Sequence, residues 1–178
     1  MYSEETKRNN EHVWASIFIH EINKQHHFDY VLVPERGEDS PVDMYAVSDS
    51  GNLPQLQLQL TYAVELPFIA YEQAVSADYT KHPTIVAIER KYEKLTRQGT
   101  DLGELIIVVQ GYMNHESALR VFADPAFDKY KKYPFQGIYY AAPAMMSEDP
   151  DESLQEGYIV AIKDAFTVYT ISGTVTNE

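Results

Sequence analysis

Residues 55–61 read Gln-Leu-Gln-Leu-Gln-Leu-Thr. In an extended strand successive side chains point to opposite faces of the sheet. Gln55, Gln57, Gln59 and Thr61 therefore line one face, and Leu56, Leu58 and Leu60 line the other. The leucine face requires a core to cover it, and the glutamine face belongs over something polar. The preceding run, residues 42–47, is strand-like and contains Asp43, and the turn Asp49-Ser50-Gly51-Asn52 between the two suits a hairpin.

The rest of the chain supplies partners for this hairpin. Residues 9–25 form an amphipathic helix with Asn9 or Asn10 as the N-cap. At 3.6 residues per turn, Glu11, Trp14, Ala15, Phe18 and Ile22 share one face, so a carboxylate opens an otherwise apolar stripe. Residues 28–33 are a short strand, and residues 34–40 a charged loop turning at Gly37. Residues 66–77 read as a helix with Pro67 in its first turn. A second helix over residues 83–98 buries Ile85, Ile88, Tyr92 and Leu95, and Gly99 stops it. Its charged residues, Lys91 among them, form a solvated face.

Residues 104–110 are a continuous apolar run, as in a strand covered on both sides. A helix over residues 115–123, strands over 135–142 and 158–163, an acidic loop over 145–156 and an edge strand over 166–175 complete the reading. This is an α/β chain, a mixed β-sheet flanked by helices. It forms a single domain over residues 1–178, with a core at about 9–111 and further strands in a C-terminal extension at about 112–178.

With no cysteine, disulfides and thiolate zinc sites are excluded, which favours a cytoplasmic protein. No apolar run approaches the roughly 20 residues that span a bilayer, so no membrane partner is expected. The net charge of −13 works against binding a phosphate backbone, which relies on basic side chains releasing counterions. A protein partner or a homodimer is compatible with the chain.

The order helix–strand–strand–strand–helix–strand, together with Glu11, Pro41-Val42-Asp43 and the polar pair Gln57-Leu58-Gln59, resembles the PD-(D/E)xK nuclease superfamily, the restriction-endonuclease-like fold. The resemblance implies a divalent-metal-dependent phosphodiesterase. Glu11, Asp43 and Gln57 would be the ligands of Mg²⁺ or Mn²⁺, and Asp43, Gln57 and Gln59 the catalytic set. The match departs from the family at its most important step. Gln57 stands where the motif has an acid and Gln59 where it has a lysine, so a negative charge and an ammonium are both missing. Glu72 or Glu89 could supply the acid, and Lys91 or Lys94 the ammonium. The resemblance thus implies a nuclease-like domain with a degenerate site, weakly active or inactive. The other reading is a non-catalytic acidic accessory or interaction protein, such as a phage or mobile element carries.

Other chemistries are less well supported. His20, His26 and His27 lack the HExxH spacing of zinc hydrolases and read as a helix end. No nucleophile elbow, P-loop or GxGxxG occurs. The tyrosines and lysines of residues 129–140 could form a surface for single-stranded nucleic acid, but packing in the core or at a dimer interface is the stronger reading. Gln110 should sit at the same sheet end as the motif residues, hydrogen-bonded in the ordinary way.

Overall fold

A computed structural model describes residues 4–33, 42–63, 82–143 and 157–166, with side chains in the first helix described from residue 11. The expected loop at 34–40, the helix at 66–77, the acidic loop at 145–156 and nearly all of the edge strand at 166–175 lie outside these residues. The elements run α1 (Glu4–His26), β1 (Tyr30–Val33), β2 (Met44–Ser48), β3 (Leu56–Tyr62), α2 (Pro83–Arg97), β4 (Leu105–Gln110), α3 (His115–Phe122), a 3-10 segment (Pro125–Lys132), β5 (Gly137–Pro143) and β6 (Gly157–Lys163). The six strands form one mixed sheet in the order β1-β2-β3-β4-β5-β6. β1 pairs antiparallel with β2 and β2 with β3, β3, β4 and β5 run parallel, and β6 is antiparallel to β5. The α/β class and mixed sheet follow the sequence pattern.

Strand alternation divides the core into two layers. Leu56, Leu58 and Leu60 of β3, with Ile106 and Val108 of β4, pack beneath α1 against Trp14, Ala15, Phe18 and Ile22. Leu105, Ile107 and Val109 turn the other way and pack with Ile85, Ile88 and Leu95 of α2 and with Ala118, Val121 and Phe122 of α3. All six residues of β4 are buried, as its unbroken apolar run requires. Burial of these side chains holds each helix against the sheet, at about 25 cal/mol per Å² of apolar surface removed from water.

Two helix ends differ from expectation. Asn9 and Asn10 are not caps, because α1 already spans them from Glu4. Residues 4–10 hold neither Gly nor Pro, so nothing interrupts the helical run there. At its other end His27 takes a left-handed φ of 56°, and Phe28 N–H donates to Asn23 O at 3.1 Å. That closes the helix in the manner of a Schellman turn, and it explains the paired histidines without any metal. β1 accordingly begins at Tyr30, whose backbone is anchored by both ends of the Asn23 carboxamide. α2 starts as its sequence demands, with Pro83 in the first turn and His82 as N-cap, the Nδ1 accepting from Thr84 N–H.

Tyr130, Phe135, Tyr139 and Tyr140 are buried, so the aromatics of residues 129–140 serve the core. The nearby lysines are paired locally, Lys129 with Glu89 and Lys131 with Asp128.

Candidate functional site

Parallel strands β3, β4 and β5 end at one edge of the sheet. In α/β sheets the carboxyl ends of such strands are where ligands bind. Asp43 lies toward this edge because β2 runs antiparallel to β3 and begins opposite Leu58, in the middle of that strand. It lies just outside the strand proper. Its N–H donates to Leu58 O at 3.0 Å, and its Oδ2 accepts the N–H of Leu60 at 2.7 Å. A side-chain oxygen here continues the ladder where main chain would otherwise do so.

Lys91 of α2 completes the arrangement. Its Nζ donates to Leu60 O at 3.0 Å and approaches Asp43 Oδ2 at 3.4 Å. The lysine side chain is 13 % exposed and the aspartate 29 %, so the pair is partly withdrawn from water. Burial lowers the ammonium pKa below its ordinary value, while the charges of Asp43 and Glu11 act to raise it. Lys91 is therefore no part of a solvated face. It stands on the inner side of α2 and fastens that helix to the sheet edge.

The expected site residues divide accordingly. Glu11 lies near enough to Lys91 for its charge to bear on the same ammonium as Asp43 does. Gln57 is engaged elsewhere: its Nε2 donates to Glu104 Oε2 at 2.9 Å, beside the start of β4. Gln59 is 3 % exposed and shares the α2-facing side of β3 with Thr61. The carboxylate of Asp43 is held at the level of Leu60, so the polar residues flanking it on β3 are Gln59 and Thr61, with Gln57 further down the strand. Of the substitutes foreseen for the missing motif groups, Lys91 is at Asp43. Glu89 is taken up by Lys129 Nζ at 3.0 Å and Tyr130 Oη at 2.7 Å, Lys94 is exposed, and Glu72 lies outside the described residues.

This donor set does not suit a resident Mg²⁺ or Mn²⁺. Such ions prefer anionic oxygens and usually take one or two carboxylates. Asp43 Oδ2 already accepts from Leu60 N–H and Lys91, and the flanking Gln59 and Thr61 are neutral. Among the described residues no three of His, Cys, Asp and Glu are grouped so as to hold a metal.

Across the sheet, the same edge carries polar groups that sequence reasoning undervalued. Gln110 ends β4 and is 1 % exposed, and among the described residues neither its Oε1 nor its Nε2 has a hydrogen-bond partner. Alternation along β4 turns it toward α1, with Ile106 and Val108. In that layer Trp14 also buries its Nε1 without a partner. Tyr112, two residues beyond Gln110, meets the Trp14 ring edge-on at 5.5 Å and is 54 % exposed. The loop between is firmly tied: Gly111 N–H donates to Ala141 O at 3.0 Å and Met113 N–H to Tyr140 Oη at 2.9 Å. Only glycine fits at 111, because a Cβ would overlap the Tyr140 ring. No sequence pattern signals that Gln110 and Trp14 belong to the same face of the sheet, since the two residues are 96 positions apart (110 − 14) and α1 reaches that face only on docking.

No family model matches the chain, and neither a curated protein nor a solved structure does so. Among the described residues no helix is long and apolar enough to cross a membrane.

Proposed function

We propose that the chain is a nuclease-like domain with a restriction-endonuclease-like core and a degenerate active site, which cleaves nucleic acid weakly or not at all. The observation that carries this reading is Lys91 beside Asp43. An ammonium from α2 stands at the aspartate that leads into β2, in a chain whose third strand has lost the motif lysine. The described elements α1, β1, β2, β3, α2 and β4 also follow the order that the resemblance implies.

The weakness of the chemistry follows from charge. A hydrolytic site of this kind activates water and neutralises a phosphoryl group through divalent metal, and the donors at Asp43 are too few and already too well partnered. What remains is an ammonium with two of its three protons directed at Leu60 O and Asp43 Oδ2, leaving one N–H for an anion. The domain would then retain contact with nucleic acid and lose turnover. The test is calorimetry with Mg²⁺ and Mn²⁺ on wild type and Asp43→Ala, alongside cleavage assays on plasmid and single-stranded DNA. No metal binding at millimolar concentration and no cleavage above background are expected. Metal-dependent cleavage with the turnover of an intact nuclease, lost in Asp43→Ala, would overturn the degenerate-site reading.

The net charge of −13 favours a second reading, a non-catalytic acidic interaction protein. Its partner would carry a basic surface, and the affinity would fall steeply with added salt.

A further inference from the structure

We infer that the α1 side of the sheet's carboxyl edge is a binding site for an unpaired nucleobase. Its hydrogen-bonding floor is the Gln110 carboxamide with the Trp14 indole N–H, and Tyr112 is its outer ring. The inference rests on the nucleic-acid reading above and adds the part of the ligand that is recognised.

Among the described residues, Gln110 Oε1 and Nε2 and Trp14 Nε1 are buried without hydrogen-bond partners; Trp14 belongs to the α1 layer, and alternation along β4 turns Gln110 toward that layer. A buried polar group normally has at least one partner, and leaving one without costs stability. Leucine at 110 would fill the same layer as Ile106 and Val108 do, with no such cost. A carboxamide retained there points to a ligand that pairs with it. In one plane it presents an acceptor beside a donor, which matches the adjacent donor and acceptor on a base edge such as N6 and N7 of adenine. The indole N–H adds a further donor, and the exposed Tyr112 ring offers the face on which an unstacked base can lie. The position outside the ends of β4 and β5 is where an α/β sheet receives ligands. A chain of net charge −13 gains little from phosphates, so contact through a base is the mode open to it. Tyr112, an exposed side chain edge-on to Trp14, forms the outer boundary that an entering base would meet first.

Trp14 is the only tryptophan, so its emission and its single indole N–H resonance report on this layer alone. The full chain is titrated with adenosine 5′-monophosphate, with ribose 5-phosphate as the control lacking a base. A saturable change in the Trp14 signals is expected with the nucleotide and none with the sugar phosphate. Gln110→Leu should weaken the response at least ten-fold, while the surface variant Arg97→Gln leaves it within two-fold; the Asp43 site is tested separately by the metal titration, so that failure of that site and failure of this one are told apart. Should Gln110→Leu fold poorly, Trp14→Phe followed by calorimetry provides the same comparison. No response up to millimolar nucleotide, an equal response to ribose 5-phosphate, or unchanged affinity in Gln110→Leu would each overturn the proposal. In that event the three atoms hold internal water only.

Discussion

The two sides of the sheet's carboxyl edge solve the problem of buried polarity in opposite ways. On the α2 side, Asp43, Lys91 and the Leu60 peptide satisfy one another within 3.4 Å. On the α1 side, Gln110 and Trp14 keep three polar atoms buried and unpartnered. A satisfied network rigidifies and is costly to break, whereas an unsatisfied one waits for a partner from outside. Polar groups that satisfy one another on one face of the sheet are thus found together with polar groups on the other face that, among the described residues, have no partner.

The contrast can be broken most severely at Asp43. Asp43→Ala leaves the Lys91 ammonium partly buried without its counter-charge, and a loss of about 3 kcal/mol is expected in urea unfolding, reduced to about 1 in the Asp43→Ala/Lys91→Met double variant. A loss that the second substitution fails to relieve would show that the pair is not the fastening it is taken to be. The next largest effect concerns the start of α2, the helix that carries Lys91. Burial lowers the His82 pKa from 6.5 to about 4. The unfolded chain therefore binds a proton there that the native state refuses, and stability rises with pH between about 4 and 6.5. Acidification across that window should cost about 2 kcal/mol. His82→Asn keeps an N-cap acceptor and should flatten that part of the pH–stability profile.

Smaller changes sharpen the comparison rather than break it. Gln59→Glu places a carboxylate beside Asp43, and Mn²⁺ affinity measured by calorimetry should rise about ten-fold over wild type, or roughly 1.4 kcal/mol. Equal affinities would indicate that Gln59 is turned away from Asp43. Gln110→Leu is expected to stabilise the ligand-free protein by about 1 kcal/mol, by removing a buried amide that pairs with nothing. Destabilisation in thermal unfolding would instead show that the carboxamide already has a partner.

Much of the fold was legible because period-two alternation and unbroken apolar runs are local properties. The alternating strand at 55–61 and the continuous one at 104–110 became β3 and β4, with the leucine face inward. The site was legible only in part. Alternation placed Gln57, Gln59 and Thr61 on one face, but which of them flanks Asp43 depends on how the hairpin ends, and that is set by the Asp43 carboxylate itself. Lys91 was counted among solvated charges because helical periodicity states which residues share a face and not what the helix docks against. Gln110 at a strand end gave no sign that its amide would be stranded, since α1 covers it from a hundred residues away. The start of α1 was misplaced for the converse reason. A good capping residue caps only where the helix has cause to stop.

The strands lie side by side in the order of the chain, so each can pair with its predecessor as synthesis proceeds from the ribosome. α1 is made first yet packs on β5 and β6, made last: Phe18 meets the Tyr139 ring at 5.0 Å, and Ile17 occupies the space that a side chain at Gly157 would need. Its apolar stripe can meet β1, β3 and β4 as they emerge, but the part that packs on β5 and β6 must wait for those strands. The nascent protein can assemble its sheet vectorially, but it cannot complete its first core layer before β6 has been made.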